Sequence, residues 1–229
     1  MAPLVSSLAA PFSALSMLVH PAAAPPAHQQ HLLARVHGPV PVLARPNGSR
    51  LATLSPTTQF GSARVLSVLR RSGHWLRVST ADLQGGRDGW IDANANASEI
   101  TMSATPVEIV IRLSARILEL RRDGHVLRRF TVGIGAPSSP TPTGRFAITD
   151  ELPGASYSPV YGCCVLALSV RQTHLPSGWS GGDRVAIHGT NAPSTIGRAL
   201  SSGCVHAADD DLRYLMKLVP LGTPVSILG

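Results

Sequence analysis

Lysine is nearly missing from this chain of 229 residues: Lys217 is the only one, and arginine carries almost all of the net charge of +7. Aromatic residues make up only 4% and charged residues 14%. Such a core must be built mainly from Leu, Val, Ile and Ala, and an apolar fraction of 44% fits a globular protein rather than a disordered chain. A basic protein favours anionic polymers. However, no Lys/Arg block exceeds a pair (Arg70-Arg71, Arg121-Arg122, Arg128-Arg129), as ordinary exposed strand positions would give, so no nucleic-acid partner is expected. There is no Walker, Rossmann or His-Glu-x-x-His motif, and no cofactor is expected. Beyond residue 24 no run is long and apolar enough to cross a membrane.

Cysteine is scarce as well, at three residues, and an odd number in an exported chain suggests a free thiol. Cys163 and Cys164 are adjacent, and on a strand their side chains would point to opposite faces. A bridge between them would be strained, so they read as two small, half-buried core residues. Residues 4–24 are uncharged and end in Ala22-Ala23-Ala24, the pattern of a cleaved export signal without a basic leader. Residues 1–24 are therefore expected to direct export to the periplasm, cell wall or extracellular space, an uncleaved anchor or a disordered tail being the other readings.

The third cysteine carries the chemistry. Cys204 sits in Ser201-Ser202-Gly203-Cys204-Val205-His206, after His188 in Ile187-His188-Gly189-Thr190-Asn191. A free thiol has a pKa of about 8.5 and is mostly protonated at neutral pH, so it needs a base to become a nucleophile. A nearby imidazole can take that proton. By spacing alone, a buried Cys and an unrelated surface His are an equal reading. A metal site from Cys204, His206 and His188 has suitable ligand types but lacks a second ligand arm, so no metal is expected. A papain-like protease would place its Cys before its His, the reverse of this order.

The run from His188 to His206 closely resembles the signature of the L,D-transpeptidase catalytic-domain family. Two further elements of that family follow the same order: Thr141-Pro142-Thr143-Gly144-Arg145-Phe146 and the ending Leu218–Ile227. The resemblance spans about 106–229. It implies a mainly β, sandwich-type catalytic domain with one short helix after the nucleophile. It also implies Cys204 as nucleophile, His188 as general base, and Gly189 as the residue whose carbonyl orients that base. Backbone N–H groups around Gly203 and Cys204 would face the oxyanion. Ser202, His206, Thr190 and Asn191 fall where substrate or loop contacts are expected. The implied substrates are peptidoglycan stem peptides, joined through a Cys thioester, and the family is acylated by carbapenems. Two positions depart from the pattern: Ser202 replaces a His, and His206 replaces an Arg that would form a bidentate fork. Two rival readings are an L,D-carboxypeptidase, in which water takes the thioester, and an inactive wall-binding module.

Upstream, 25–34 is rich in Pro, Ala, His and Gln and reads as a flexible lead-in, and 95–105 reads as a linker. Between them, residues 35–94 form short apolar runs broken by turn residues. With Gly73-His74-Trp75 and Gly89-Trp90-Ile91, they are similar to bacterial Src-homology-3-like β domains. Trp75 and Trp90 fit a small barrel core or a platform for glycan or wall polymer. In the second domain, Asp123-Gly124 between apolar runs predicts a hairpin. Asp209–Val219 predicts the one clear helix, with acids in its first turn.

Overall fold

The computed structural model describes residues 29–83 and 87–229. The expected export signal at 1–24 and the first four residues of the lead-in lie outside the described residues. Seven strands build the first unit: β1 (His31–Val36), β2 (Val40–Leu43), β3 (Arg50–Leu54), β4 (Val65–Ser72), β5 (Trp75–Ser79), β6 (Asp88–Asp92) and β7 (Ile100–Thr105). They form one antiparallel sheet in the order β3-β2-β6-β5-β4-β1-β7. The sheet curls around Val36, Val40, Val42, Leu54, Leu76 and Ile91. Trp75 and Trp90 are half-buried and stand outside this core.

Two expected boundaries move. His31–Ala34, read as lead-in, lie in β1, where Leu33, Ala34 and Val36 are buried. The second half of the expected linker is β7, paired with β1 from His31↔Thr105 to Val36↔Ile100. β7 is an edge strand exposed from Thr101 to Ala104, with only Ile100 half-buried and Thr105 buried, so it lacks the apolar alternation that reveals a strand; its backbone ladder to β1 decides its conformation.

The second unit contains β8 (Val107–Arg112), β9 (Ile117–Arg122), β10 (His125–Thr131), β11 (Ile134–Gly135), β12 (Gly144–Pro153), β13 (Cys164–Arg171), β14 (Arg184–His188), β15 (Ala199–Ser201), β16 (Val205–His206), α1 (Asp209–Met216) and β17 (Pro224–Leu228). Eight of these strands form a sheet in the order β10-β9-β8-β17-β12-β13-β14-β16, while β11 pairs with β15. The β9–β10 hairpin turns through Asp123 and Gly124, both at positive φ (51° and 77°), which is the conformation a tight hairpin demands. Helix α1 seats Leu212 and Leu215 in the core and sets Asp209, Asp210 and Asp211 at its positive N-terminal end.

The loop between β3 and β4 locks the two units together. Thr58 donates its hydroxyl to Asp150, a fully buried carboxylate on β12 that also lies 3.6 Å from the Arg184 guanidinium. Arg171 donates to Gln59 (3.0 Å), and the buried hydroxyls of Ser79 and Ser169 meet at 2.6 Å. A buried carboxylate is stable only when paired, so this contact is specific rather than incidental.

Candidate active site

Strand register brings the two sequence-predicted catalytic residues together. β14 runs through the core on Val185 and Ile187 and ends at His188. β16 lies parallel beside it, with Ile187 opposite Val205 and His188 opposite His206. Cys204 directly precedes β16, and His188 and Cys204 line the same pocket of about 350 Å³. A larger cleft, about 590 Å³, lies elsewhere. It is lined by Arg70, Arg77 and Arg145 among others, and no Cys or His contributes to it, so its size says nothing about this chemistry.

His188 is almost fully buried, and its Nδ1–H donates to the Gly189 carbonyl at 2.6 Å. This bond sets the tautomer and leaves Nε2 unprotonated. Tyr161 meets the ring edge-on at 5.0 Å between centroids, and the His206 ring lies 4.7 Å away. Burial, then the neighbouring His206, pulls the His188 imidazole down to about 4, against the opposing pull of the Gly189 carbonyl. Cys204 keeps partial contact with solvent through pockets, yet the protein packed around it withdraws water and pushes the thiol up to about 11. A backbone hydrogen bond from Ala186 pulls the other way. The thiol lies 3.8 Å from the Arg184 carbonyl. At neutral pH the pair is therefore a neutral imidazole and a neutral thiol rather than a preformed ion pair.

Both glycines are required by their surroundings. A Cβ on Gly189 would collide with the Asp209 carboxylate and come within 2.9 Å of the Cys163 amide nitrogen. Gly203 has a φ of +112°, and a Cβ there would collide with the Gln172 amide. The backbone of Gly203, expected in the oxyanion region, makes its own contact here. Its N–H donates to the Ser201 hydroxyl (3.2 Å), which in turn donates to the Cys204 carbonyl (2.5 Å). Gly203 thus shapes the turn, and its N–H is already engaged.

His206 is half-buried. Its Nδ1 lies 2.9 Å from the Thr195 hydroxyl, and that hydroxyl donates its one proton to the Ala192 carbonyl at 2.8 Å. The contact therefore runs from His206 Nδ1–H to Thr195, leaving Nε2 as an acceptor. Burial lowers the His206 pKa, so the residue is neutral at pH 7. Thr190 holds its loop by donating its N–H to Asp209 (3.3 Å) and accepting from the Ala192 N–H (3.0 Å). Asn191, Ser202 and His206 line the pocket. Among the described residues no cluster of His, Cys, Asp or Glu is arranged to hold a metal ion.

Cys163 and Cys164 are half-buried against the core, as expected, but the expectation that they stay unbridged is corrected: they form a bridge to each other. Only Cys164 lies in β13, while Cys163 belongs to the preceding turn, so the opposite-face geometry of two strand residues does not apply. Gln172 carries no signal in the sequence. Its side-chain amide donates to the carbonyls of Pro140 (2.9 Å) and Ser202 (3.3 Å), tying the residue before the Thr141–Phe146 element to the cysteine loop. Tyr161 lines both pockets that reach Cys204, and no local pattern marks it or Gln172.

Residues 106–227 match the family model of the YkuD L,D-transpeptidase catalytic domain. YkuD of Bacillus licheniformis, a candidate L,D-transpeptidase, is 29% identical over 171 residues, covering 69% of this chain and 95% of its own length. The corresponding protein of Bacillus subtilis is 31% identical over 124 residues, covering 53% of this chain and 66% of its own. Among solved structures, an L,D-transpeptidase from Mycobacterium smegmatis aligns over 83% of this chain and all of its own, at 19% identity and a TM-score of 0.44.

Proposed function

The chain belongs to the L,D-transpeptidase catalytic-domain family, and on that premise we propose that it is a cysteine acyltransferase that crosslinks peptidoglycan stem peptides. The observation that carries this reading is an unprotonated imidazole Nε2, fixed by the Nδ1–Gly189 bond, in the same pocket as the free thiol of Cys204.

The reaction needs one proton carrier and one nucleophile. The thiol swings from the Arg184 carbonyl toward His188, which takes its proton as the sulfur attacks the carbonyl of an L-centre in the donor stem. Because base and thiol both start neutral, proton transfer accompanies attack. The tetrahedral oxyanion needs hydrogen-bond donors, and with the Gly203 N–H given to Ser201, the Cys204 N–H is the nearest one. The carbon–nitrogen bond then breaks. His188 returns the proton to the leaving amine, a D-residue, and the acyl group remains on sulfur as a thioester. The amine of a second stem attacks that thioester and gives its proton to His188, and the thiol is restored. Water in place of the amine gives the carboxypeptidase outcome with the same residues. The substrate lies outside the cytoplasmic membrane, which agrees with the expected export signal.

Intact-protein mass spectrometry after incubation with a donor stem tetrapeptide or a carbapenem tests this. A covalent mass on the wild type that is absent from Cys204→Ala is expected. Labelling that survives in Cys204→Ala would reject the mechanism. Dimeric or hydrolysed stem products then separate crosslinking from carboxypeptidase action.

A further inference from the structure

Among the described residues, Cys204 lines two neighbouring cavities. The first contains His188, His206 and Asn191. The second, about 270 Å³, is walled by Leu152, Val165, Ala167 and Ala186 of the catalytic unit and by Gln59 and Phe60 of the first unit. We propose that this second cavity is the subsite for the acyl portion of the donor stem, and that Phe60, from the other unit, is a specificity-determining residue of the reaction. The proposal rests on the acyltransferase reading above and adds to it where each part of the substrate lies.

Proton traffic assigns the two cavities. The leaving amine must receive a proton from His188, and the incoming amine must give one to it. Both groups therefore occupy the cavity that His188 lines, one after the other. The acyl group stays on sulfur throughout and has to lie clear of that exchange. The second cavity also reaches Cys204, and neither imidazole lines it. Its wall is mostly aliphatic and aromatic, which suits the aliphatic side chains of a short peptide, while Gln59, Asp183 and Arg184 provide polar groups for the peptide backbone.

Phe60 is held firmly enough to select. Its N–H donates to Thr58 Oγ1 (3.2 Å), and the Thr58 hydroxyl donates to buried Asp150 across the junction. Arg64, itself buried, clamps the same loop through the carbonyls of Ser55 (2.6 Å) and Thr57 (2.8 Å). The Phe60 ring stands edge-on to Tyr157 (6.2 Å, 88°) and lies 5.7 Å from the Arg184 guanidinium. Phe60 and Cys204 pack against the same small cluster of Leu152, Val165 and Ala186. The first unit thus supplies a wall of the catalytic centre in addition to any spacing role.

The test uses the full chain and reads two steps separately: the rate of thioester formation from a donor stem tetrapeptide, and the partition of the formed thioester between an amine acceptor and water. Phe60→Ala should lower kcat/KM for thioester formation by roughly tenfold, the scale of a lost apolar pocket contact, and leave the partition unchanged. Phe60→Leu should recover most of the loss. If Phe60→Ala does not fold, Phe60→Trp is read instead and should lower acylation by crowding the cavity. Normal acylation in a folded Ala or Trp variant overturns the subsite, as does a change confined to the acceptor step. A wild-type protein that forms no thioester on Cys204 refutes the acyltransferase reading itself, a result distinct from normal thioester formation that ignores Phe60.

Discussion

Replacing His188 by Ala probes the proposed chemistry most directly, because burial has moved both partners far from their ordinary behaviour. The imidazole is neutral above about pH 4, and the thiol is neutral below about pH 11. The competent form, a neutral base beside a neutral thiol, dominates between those limits. In the wild type, kcat/KM for acylation should therefore be flat over roughly pH 5.5 to 9, with no bell centred near 7. In His188→Ala only thiolate formed without help can attack. A thiol with a pKa of about 11 is ionised to about one part in 10⁴ at pH 7. Removing the ring also admits water, and at the other limit an ordinary thiol with a pKa of about 8.5 is about 3% ionised at that pH. The loss at pH 7 should thus lie between about 30-fold and 10⁴-fold. The residual rate should climb about tenfold per pH unit until the thiol titrates. The assay is the second-order rate of mass gain on intact protein with a carbapenem, from pH 6 to 9.5. A loss below about tenfold at pH 7, or a residual rate that does not depend on pH, would refute the base assignment.

Three further outcomes follow from the same site. Gly189→Ala would drive a methyl into Asp209 and shift the carbonyl that holds Nδ1, so acylation should fall by at least about tenfold, while circular dichroism shows the fold retained. Wild-type acylation in that variant would mean that the Gly189 carbonyl does not orient the base. His206→Arg installs a permanent charge where burial keeps the imidazole neutral, so KM for a carboxylate-bearing donor should hold or fall above pH 7. A large loss at every pH would instead assign the imidazole a specific role. Acid should destabilise the fold. The unfolded chain protonates His188 near 6.5, whereas the native state resists until about 4, so stability is fully present above 6.5 and declines toward 4, by about 3 kcal/mol at most. His31 and His206, both also lowered by burial, act in the same direction. Urea midpoints at pH 7.5 and 4.5 should differ, and less so in His188→Ala; identical midpoints would show that His188 is not buried in its neutral form.

Local chemistry made much of this protein legible. The order of His188 and Cys204, with glycines beside them, carried the family resemblance, and the match over 106–227 bears it out. The Asp123-Gly124 hairpin was readable because few residue pairs adopt two positive φ angles cheaply. Helix α1 was readable from its amphipathic spacing and acidic start, although it ends at Met216 rather than Val219. By contrast β7 was invisible, since an edge strand with one buried residue has no alternation to read. The Cys163–Cys164 bridge is not legible in the sequence, because no local pattern separates the turn that contains Cys163 from strand β13.

By itself the sequence marked the groups that could react: the Cys204 thiol, the His188 imidazole ahead of it in the chain, and a glycine beside each. Tertiary structure alone decided how they behave. Register between β14 and β16 set His206 against His188, and depth in the protein separated the two pKa values into a neutral pair. Gln172 reached across to hold the Ser202 carbonyl, and a loop of the first unit, distant in the chain, brought Phe60 to a wall beside Cys204. These effects depend on desolvation and on contacts between segments far apart in sequence, and neither leaves a local trace in the order of residues.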